Sequence, residues 1–137
     1  MSTRTNYAIE KSLDHLYLNA AWPGIGDAAG LPAAATAGNL YAALLVDAAE
    51  CNYGGYARVA IPRSAAGFSR TGNVVSNVAQ LNFAKATSGS NVANKIAIYD
   101  AETGGNQLHL QEVPNPITIT TNVQPIVEAG ALTITGS

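Results

Sequence analysis

The side chains that most often perform chemistry in proteins are few in this sequence and are not grouped. His15 and His109 lie far apart, and neither has a second histidine, a cysteine or a carboxylate at the spacing of a metal site. Cys51 is the one cysteine, so neither an intrachain disulfide nor a zinc site of several thiolates is possible. The serines lack the Gly-x-Ser-x-Gly pattern of a hydrolase nucleophile. We therefore expect no enzyme activity, no metal and no cofactor.

Two segments match ligand-binding motifs, but their surroundings favour plain turns. Residues 24–29 fit the Gly-x-Gly-x-x-Ala form of the dinucleotide fingerprint, which needs a strand before it and a helix after it. Here the order is reversed, because a predicted helix precedes the segment and a strand follows it. Residues 100–106 place oxygen-bearing side chains at alternate positions, as a calcium loop does, but Gln111 stands where the closing glutamate belongs. This second segment is predicted to be the tip of a β-hairpin.

The most informative local segment is 52–59, Asn-Tyr-Gly-Gly-Tyr-Ala-Arg-Val. Two tyrosines bracket two glycines, which can adopt positive φ, just before a predicted strand that carries an arginine. The rings of Tyr53 and Tyr56 could close over the core as a lid. Alternatively, these tyrosines and Arg58 could contact a partner, since tyrosine and arginine are favoured at protein interfaces. The sequence leaves these two interpretations equally open.

Charge is scarce in this chain and unevenly distributed. Only 12% of the 137 residues are charged, about half of the usual quarter, and the net charge is −2. Residues 1–50 hold two basic and five acidic residues, residues 51–99 hold five basic and no acidic ones, and residues 100–137 hold four acidic and no basic ones. We favour mutual neutralisation within the domain, although a basic face could instead meet an acidic partner.

The composition also excludes several classes of partner. The balance of charge provides no basic surface for nucleic acid. No apolar run approaches the roughly 18 residues that cross a membrane, and the N-terminus lacks the apolar segment of a signal peptide. A surface of small neutral side chains is typical of a protein that works within an assembly.

The first 39 residues are predicted to form a helix and an extended arm. Apolar residues lie on one helical face of residues 7–21, with Thr5 or Asn6 as the N-cap. The following 17 or so residues are rich in glycine and alanine and are predicted to run over the core as an ordered arm. Their apolar content exceeds what a loose tail requires, so this region is expected to contact a neighbouring subunit. The candidate residues are Leu16, Tyr17, Trp22, Ile25 and Leu31.

Residues 40–137 show the two-residue period of β-strands. Residues 40–46 are apolar on both faces, which predicts an inner strand. Further alternating segments include 58–62, 78–83, 96–98, 108–110, 117–119 and 132–134, with a hairpin turn at 103–106. Seven or eight short strands predict a mainly β fold, an antiparallel β-sandwich or jelly roll, that forms one compact unit with the helix and arm.

Four segments and the opening helix and arm carry a resemblance to a known family. The segments are 52–59, Gly-Asn-Val-Val-Ser-Asn at 72–77, Leu-Asn-Phe at 81–83, and Ile-Val-Glu-Ala-Gly-Ala-Leu-Thr-Ile at 126–134. Over nearly its whole length the chain is similar to small virion proteins of tailed bacteriophages, most closely to capsid cement (decoration) proteins of a Bordetella podophage. This resemblance implies a jelly-roll homodimer on the outside of an HK97-like capsid, where it would bind the major capsid protein and bridge capsomers.

We accordingly expect a structural virion protein that is made in the host bacterial cytoplasm and stabilises the capsid from outside by binding only the assembled shell. The alternative is a tail-fibre or baseplate module that binds a host receptor or glycan. In that case the loops at 87–94 and 103–107, rich in asparagine, serine and threonine, would form the contact surface.

Overall fold

The computed structural model describes residues 4–137 and confirms a mainly β protein with antiparallel strands and one N-terminal helix. In this part of the chain the elements are α1 (Asn6–Leu18), β1 (Asn39–Val46), β2 (Ala49–Glu50), β3 (Val59–Pro62), β4 (Phe68–Thr71), β5 (Val74–Asn77), β6 (Leu81–Asn82), β7 (Asn91–Tyr99), β8 (Gln107–Ile119), β9 (Ile126–Val127) and β10 (Thr133–Thr135). These ten strands exceed the expected seven or eight, because three of them have only two residues and the β4–β5 hairpin was not anticipated.

The strands form three sheets, an arrangement compatible with the expected sandwich or jelly roll. In the largest sheet β1 is flanked by β7 on one side and by β2 and β3 on the other, and β8 forms the edge beyond β7. The inner position expected for β1 is confirmed, since Ala42, Ala43 and Leu44 are fully buried. The smaller sheets have the orders β10-β5-β4 and β6-β9. Within residues 4–137, no helix has the length and apolar character to cross a membrane.

One apolar core joins the helix to the sheets. Ile9, Leu13 and Tyr17 of α1 belong to the same buried cluster as the inward side chains of β1 and β7. Tyr17 packs edge-on against Phe68 of β4, with ring centroids 5.2 Å apart. Burial of this kind contributes about 1.5–3 kcal/mol for each large apolar side chain. The helix is therefore held by the core that the strands build.

The helix begins as expected but ends three residues earlier than expected. Thr5 is the N-cap, and its hydroxyl accepts the Ala8 N–H. Asn19 adopts a left-handed conformation with φ of 51°, and the Ala20 N–H donates to the Asp14 carbonyl, which closes the last turn. The expected helical position of Ala20 is thus wrong, because the chain turns away at Asn19.

The arm is an ordered loop that closes on itself. Trp22 and Leu31 exchange two backbone hydrogen bonds of 2.7 and 2.9 Å. The side-chain amide of Asn19 both donates to and accepts from the backbone of Ala34. These bonds fix the positions of the apolar side chains that the arm carries.

The long edge strand β8 joins two segments that the sequence presents as separate strands. A register shift opposite Asn94 accommodates the extra residues 113–116 between the pairs Lys95–Glu112 and Ala93–Ile117. Pro114 and Pro116 lie within these residues, and an edge strand tolerates proline because part of its backbone has no partner strand.

Candidate functional site

The segment 51–58, here called the Tyr-Gly loop, leaves the large sheet after β2 and returns to it as β3. Its Gly54 N–H donates to the Ser88 carbonyl at 2.9 Å. On the other side, the guanidinium of Arg58 donates to the carbonyls of Ala101 and Gly104 at the tip of the β7–β8 hairpin, each at 2.8 Å. The structure therefore brings the Tyr-Gly loop against both polar loops that the sequence singles out.

The two glycines suit this segment for different reasons. A Cβ atom on Gly54 would overlap the hydroxyl oxygens of Ser88 and Thr87. Gly55 has a φ of 93°, which side-chain-bearing residues rarely adopt. The Gly-Gly pair thus permits the bridge between the Tyr-Gly loop and residues 87–88.

Arg58 is the central contact of the site. Its Nε and Nη2 atoms donate to the two carboxylate oxygens of Glu50, both at 2.9 Å, and its guanidinium carbon lies 3.8 Å from the centre of the Tyr99 ring. The Arg58 side chain is 6% exposed and that of Glu50 is 30% exposed. Hydrogen bonding to Arg58 lowers the pKa of Glu50, and the same bonds raise the pKa of Arg58. The pair is therefore ionised over the whole neutral range.

The two tyrosines pack inside the molecule. Tyr53 is buried and donates its hydroxyl hydrogen to the Ala84 carbonyl at 2.7 Å. The hydroxyl of Tyr56 donates to Glu50 at 2.6 Å, and its ring stacks on Phe83 with an interplanar angle of 7°. Burial raises the pKa of both phenols. Of the two open interpretations, the structure shows the core lid, while a partner contact by these residues stays a prediction.

A cleft of about 330 Å³ opens between the Tyr-Gly loop and the hairpin tip. We call it the Glu50 cleft. Its lining includes Glu50, Tyr56, Ala57, Arg58, Glu102 and Thr103. The neighbouring Cys51 is buried, which raises the pKa of its thiol to about 11, so the thiol is protonated and a poor nucleophile at neutral pH. The cleft thus offers hydrogen-bonding groups in place of a reactive centre.

The five apolar residues expected to reach a neighbour are divided by the structure. Tyr17 is 1% exposed and Leu16 packs against the core, so both serve internal packing. Ile25 and Leu31 are 39% and 42% exposed.

Trp22 and Ile25 line a second cleft, of about 340 Å³, together with Tyr7 at the start of α1. We call this the arm groove. Tyr7 was not selected from the sequence, because this residue lies outside the apolar stripe of the helix. That same position, off the buried face, indicates that its side chain is exposed.

The central basic block pairs with the N-terminal acidic block. Besides Arg58 with Glu50, Arg70 of β4 forms an ion pair with Asp14 and lies 3.9 Å from Glu10 on α1. Arg63 donates to backbone carbonyls in the last turn of the helix, where a positive charge is favourable. For Arg58 and Arg70, the favoured expectation of internal pairing between the two blocks is confirmed, whereas Arg63 contacts backbone carbonyls in place of an acidic side chain.

The remaining candidates occupy structural positions. The carboxylate of Asp100 accepts the backbone and side-chain N–H groups of Asn106, which lowers the pKa of Asp100 and closes the expected hairpin. His109 hydrogen-bonds the Thr133 carbonyl through Nε2, and burial lowers its pKa. Among residues 4–137, no three histidine, cysteine or carboxylate side chains are grouped as metal ligands.

Comparison with known proteins places the chain in a bacteriophage family. Residues 3–135 match the family model described as "Podophage GP4 fiber I protein gp80". No curated protein matches the chain. The family match confirms the expected similarity to virion proteins of tailed bacteriophages. It does not support the more specific expectation, a similarity to capsid cement proteins of a Bordetella podophage. Because the match covers almost the whole chain, this protein belongs to the podophage GP4 fiber I protein gp80 family and is a structural component of a phage virion.

Proposed function

We propose that this protein is a non-enzymatic subunit of a podophage tail fibre, and that it contacts a receptor or glycan on the host surface through the Tyr-Gly loop and its two neighbouring loops. The observation that carries the proposal is the family match over residues 3–135. It favours the fibre alternative over the capsid cement function that we expected first.

The geometry of the loops supports a recognition surface. Residues 87–90 and 102–106 are exposed and contain hydroxyl, amide and carboxylate groups. They are anchored on the large sheet, and the Tyr-Gly loop between them is fixed by Arg58 and by the Gly54–Ser88 pair. Polar loops that a rigid β-scaffold holds in place lose little conformational entropy on binding.

The arm groove is the candidate surface for attachment to the rest of the virion. Tyr7 and Ile25 of the groove are exposed apolar residues. Leu31 is also exposed and pairs with Trp22 of the groove, and the hydrogen bonds that close the arm hold Ile25 and Leu31 in place. Such surfaces suit protein partners better than hydrated glycans. A second copy of this chain is one such partner, and the major capsid protein would be the partner in the cement function.

The deciding experiment is the copy number of this protein in purified virions relative to the major capsid protein, measured separately in head and tail fractions. The fibre function predicts at most tens of copies, recovered with tails. Hundreds of copies recovered with heads would overturn the proposal and support the cement function. As a second readout, the purified protein should bind host cells, and the exchange Ser90→Trp on the exposed loop should weaken this binding without loss of folding.

A further inference from the structure

We infer that the Glu50 cleft binds a single neutral sugar unit of a surface glycan. The inference rests on the proposed function and specifies its ligand. The cleft volume of about 330 Å³ lies at the lower end of the range for small-molecule sites, which is about 300–1,000 Å³. A cleft of this size suits one small ring rather than a long oligosaccharide.

The hydrogen-bonding groups of the cleft are already oriented by the protein. The carboxylate of Glu50 accepts three hydrogen bonds, two from Arg58 and one from Tyr56, and a carboxylate has about four acceptor positions. One position is left for a ligand. Glu102 and Thr103, both exposed at the hairpin tip, add further acceptors and one hydroxyl donor to the wall.

Arg58 supplies the complementary donor. A guanidinium has about five N–H groups, and four hydrogen bonds engage Glu50, Ala101 and Gly104. The fifth N–H is left on Nη2. A sugar hydroxyl can donate one hydrogen bond and accept another. Sugar hydroxyls can therefore bind both the free acceptor positions of the carboxylates and the free N–H of Arg58.

The charges that line the cleft favour a sugar over the alternative ligand, a basic side chain. Arg58 neutralises Glu50 within the wall, and its positive charge opposes the entry of an ammonium group beside Glu50. The second carboxylate of the lining, Glu102, is exposed at the hairpin tip, where water and salt screen its attraction for a cation. A neutral hydroxyl-rich ring meets no such repulsion. Ala57 and Tyr56 also line the cleft, and apolar atoms of these side chains suit the C–H faces of a pyranose. The observations therefore favour the sugar.

The test is NMR titration of the full-length protein with four methyl glycosides, those of glucose, galactose, rhamnose and N-acetylglucosamine, and with butylammonium chloride. We expect at least one glycoside to shift the amide signals of Ala57 and Gly104 with millimolar affinity. Glu102→Ala should weaken this binding about tenfold, as expected for one hydrogen bond to a charged group. Ala57→Trp fills the cleft and should abolish binding.

The matched controls are Glu112→Ala and Ala66→Trp, which make the same exchanges at exposed positions outside the cleft and should leave binding unchanged. The inference is overturned if no glycoside shifts these signals, if Ala57→Trp remains folded and still binds, or if only butylammonium binds. Glycoside binding by a protein that fractionates with heads would refute the fibre function while the cleft assignment stands.

Discussion

Replacing Arg58 by methionine removes the guanidinium from the centre of the site and keeps a side chain of similar length. The lost contacts are two hydrogen bonds to Glu50, two to hairpin carbonyls and the packing on the Tyr99 ring. Breaking a buried ion pair costs about 3–5 kcal/mol when one charge stays behind. Water can reach the Glu50 carboxylate, which is 30% exposed, so we expect the lower end of this range, about 3 kcal/mol.

The assay is urea unfolding followed by far-UV circular dichroism. Glu50→Gln should cost about 1–2 kcal/mol, and the double variant should cost less than the sum of the single variants, because the two side chains contact each other. Lys85→Met removes a positive charge from an exposed residue and should change stability by less than about 0.5 kcal/mol. A loss below about 1 kcal/mol for Arg58→Met would refute the reasoning and would show that backbone pairing alone holds the Tyr-Gly loop.

Three further predictions concern stability. Tyr17→Ala should lower the free energy of unfolding by about 3–5 kcal/mol because the ring is buried in the core, whereas Tyr7→Ala at an exposed position should be nearly neutral. Equal effects in urea unfolding would contradict this placement of the helix. Gly67→Ala should lower the melting temperature more than Gly72→Ala, since a Cβ at Gly67 overlaps a backbone carbonyl whereas Gly72, with φ of 60°, has open space. The reverse order would be inconsistent with the packing at Gly67. The lowered pKa of Glu50 stabilises the folded state above the pKa of the unfolded carboxyl, and this contribution is lost as pH falls through the folded pKa. The stability difference between the wild type and Glu50→Gln should therefore shrink as pH falls below the ordinary glutamate pKa of about 4.3, and a constant difference would contradict the assignment.

Elements with a local period could be predicted from the sequence. The spacing of Ile9, Leu13 and Tyr17 gives the buried face of α1, and the apolar run of β1 gives the inner strand. The end of α1 could not be predicted in the same way. Asn19 is held by its hydrogen bonds with Ala34, a contact between parts of the chain that no local pattern contains.

The candidate site was predictable in its parts but not in its assembly. The sequence identified the Tyr-Gly loop and both polar loops, yet it could not show that they meet. Gly54 and Ser88 are 34 positions apart, and Arg58 and Gly104 are 46 positions apart. The burial of Tyr53 likewise depends on the distant Ala84 carbonyl. Contacts of this kind depend on which strands pair with one another. Seven or eight strands predicted from local patterns do not determine that pairing.

The position of the Arg58–Glu50 pair is informative because charge is scarce in this protein. A buried ion pair adds little net stability compared with apolar residues of similar size, so stability alone does not explain its presence. Arg58 also reaches the carbonyls of Ala101 and Gly104, which an apolar side chain could not satisfy. The pair therefore fixes the hairpin tip relative to the Tyr-Gly loop in one arrangement. The recognition surface that we propose would need this geometric precision, and one arginine provides it at the boundary between two loops.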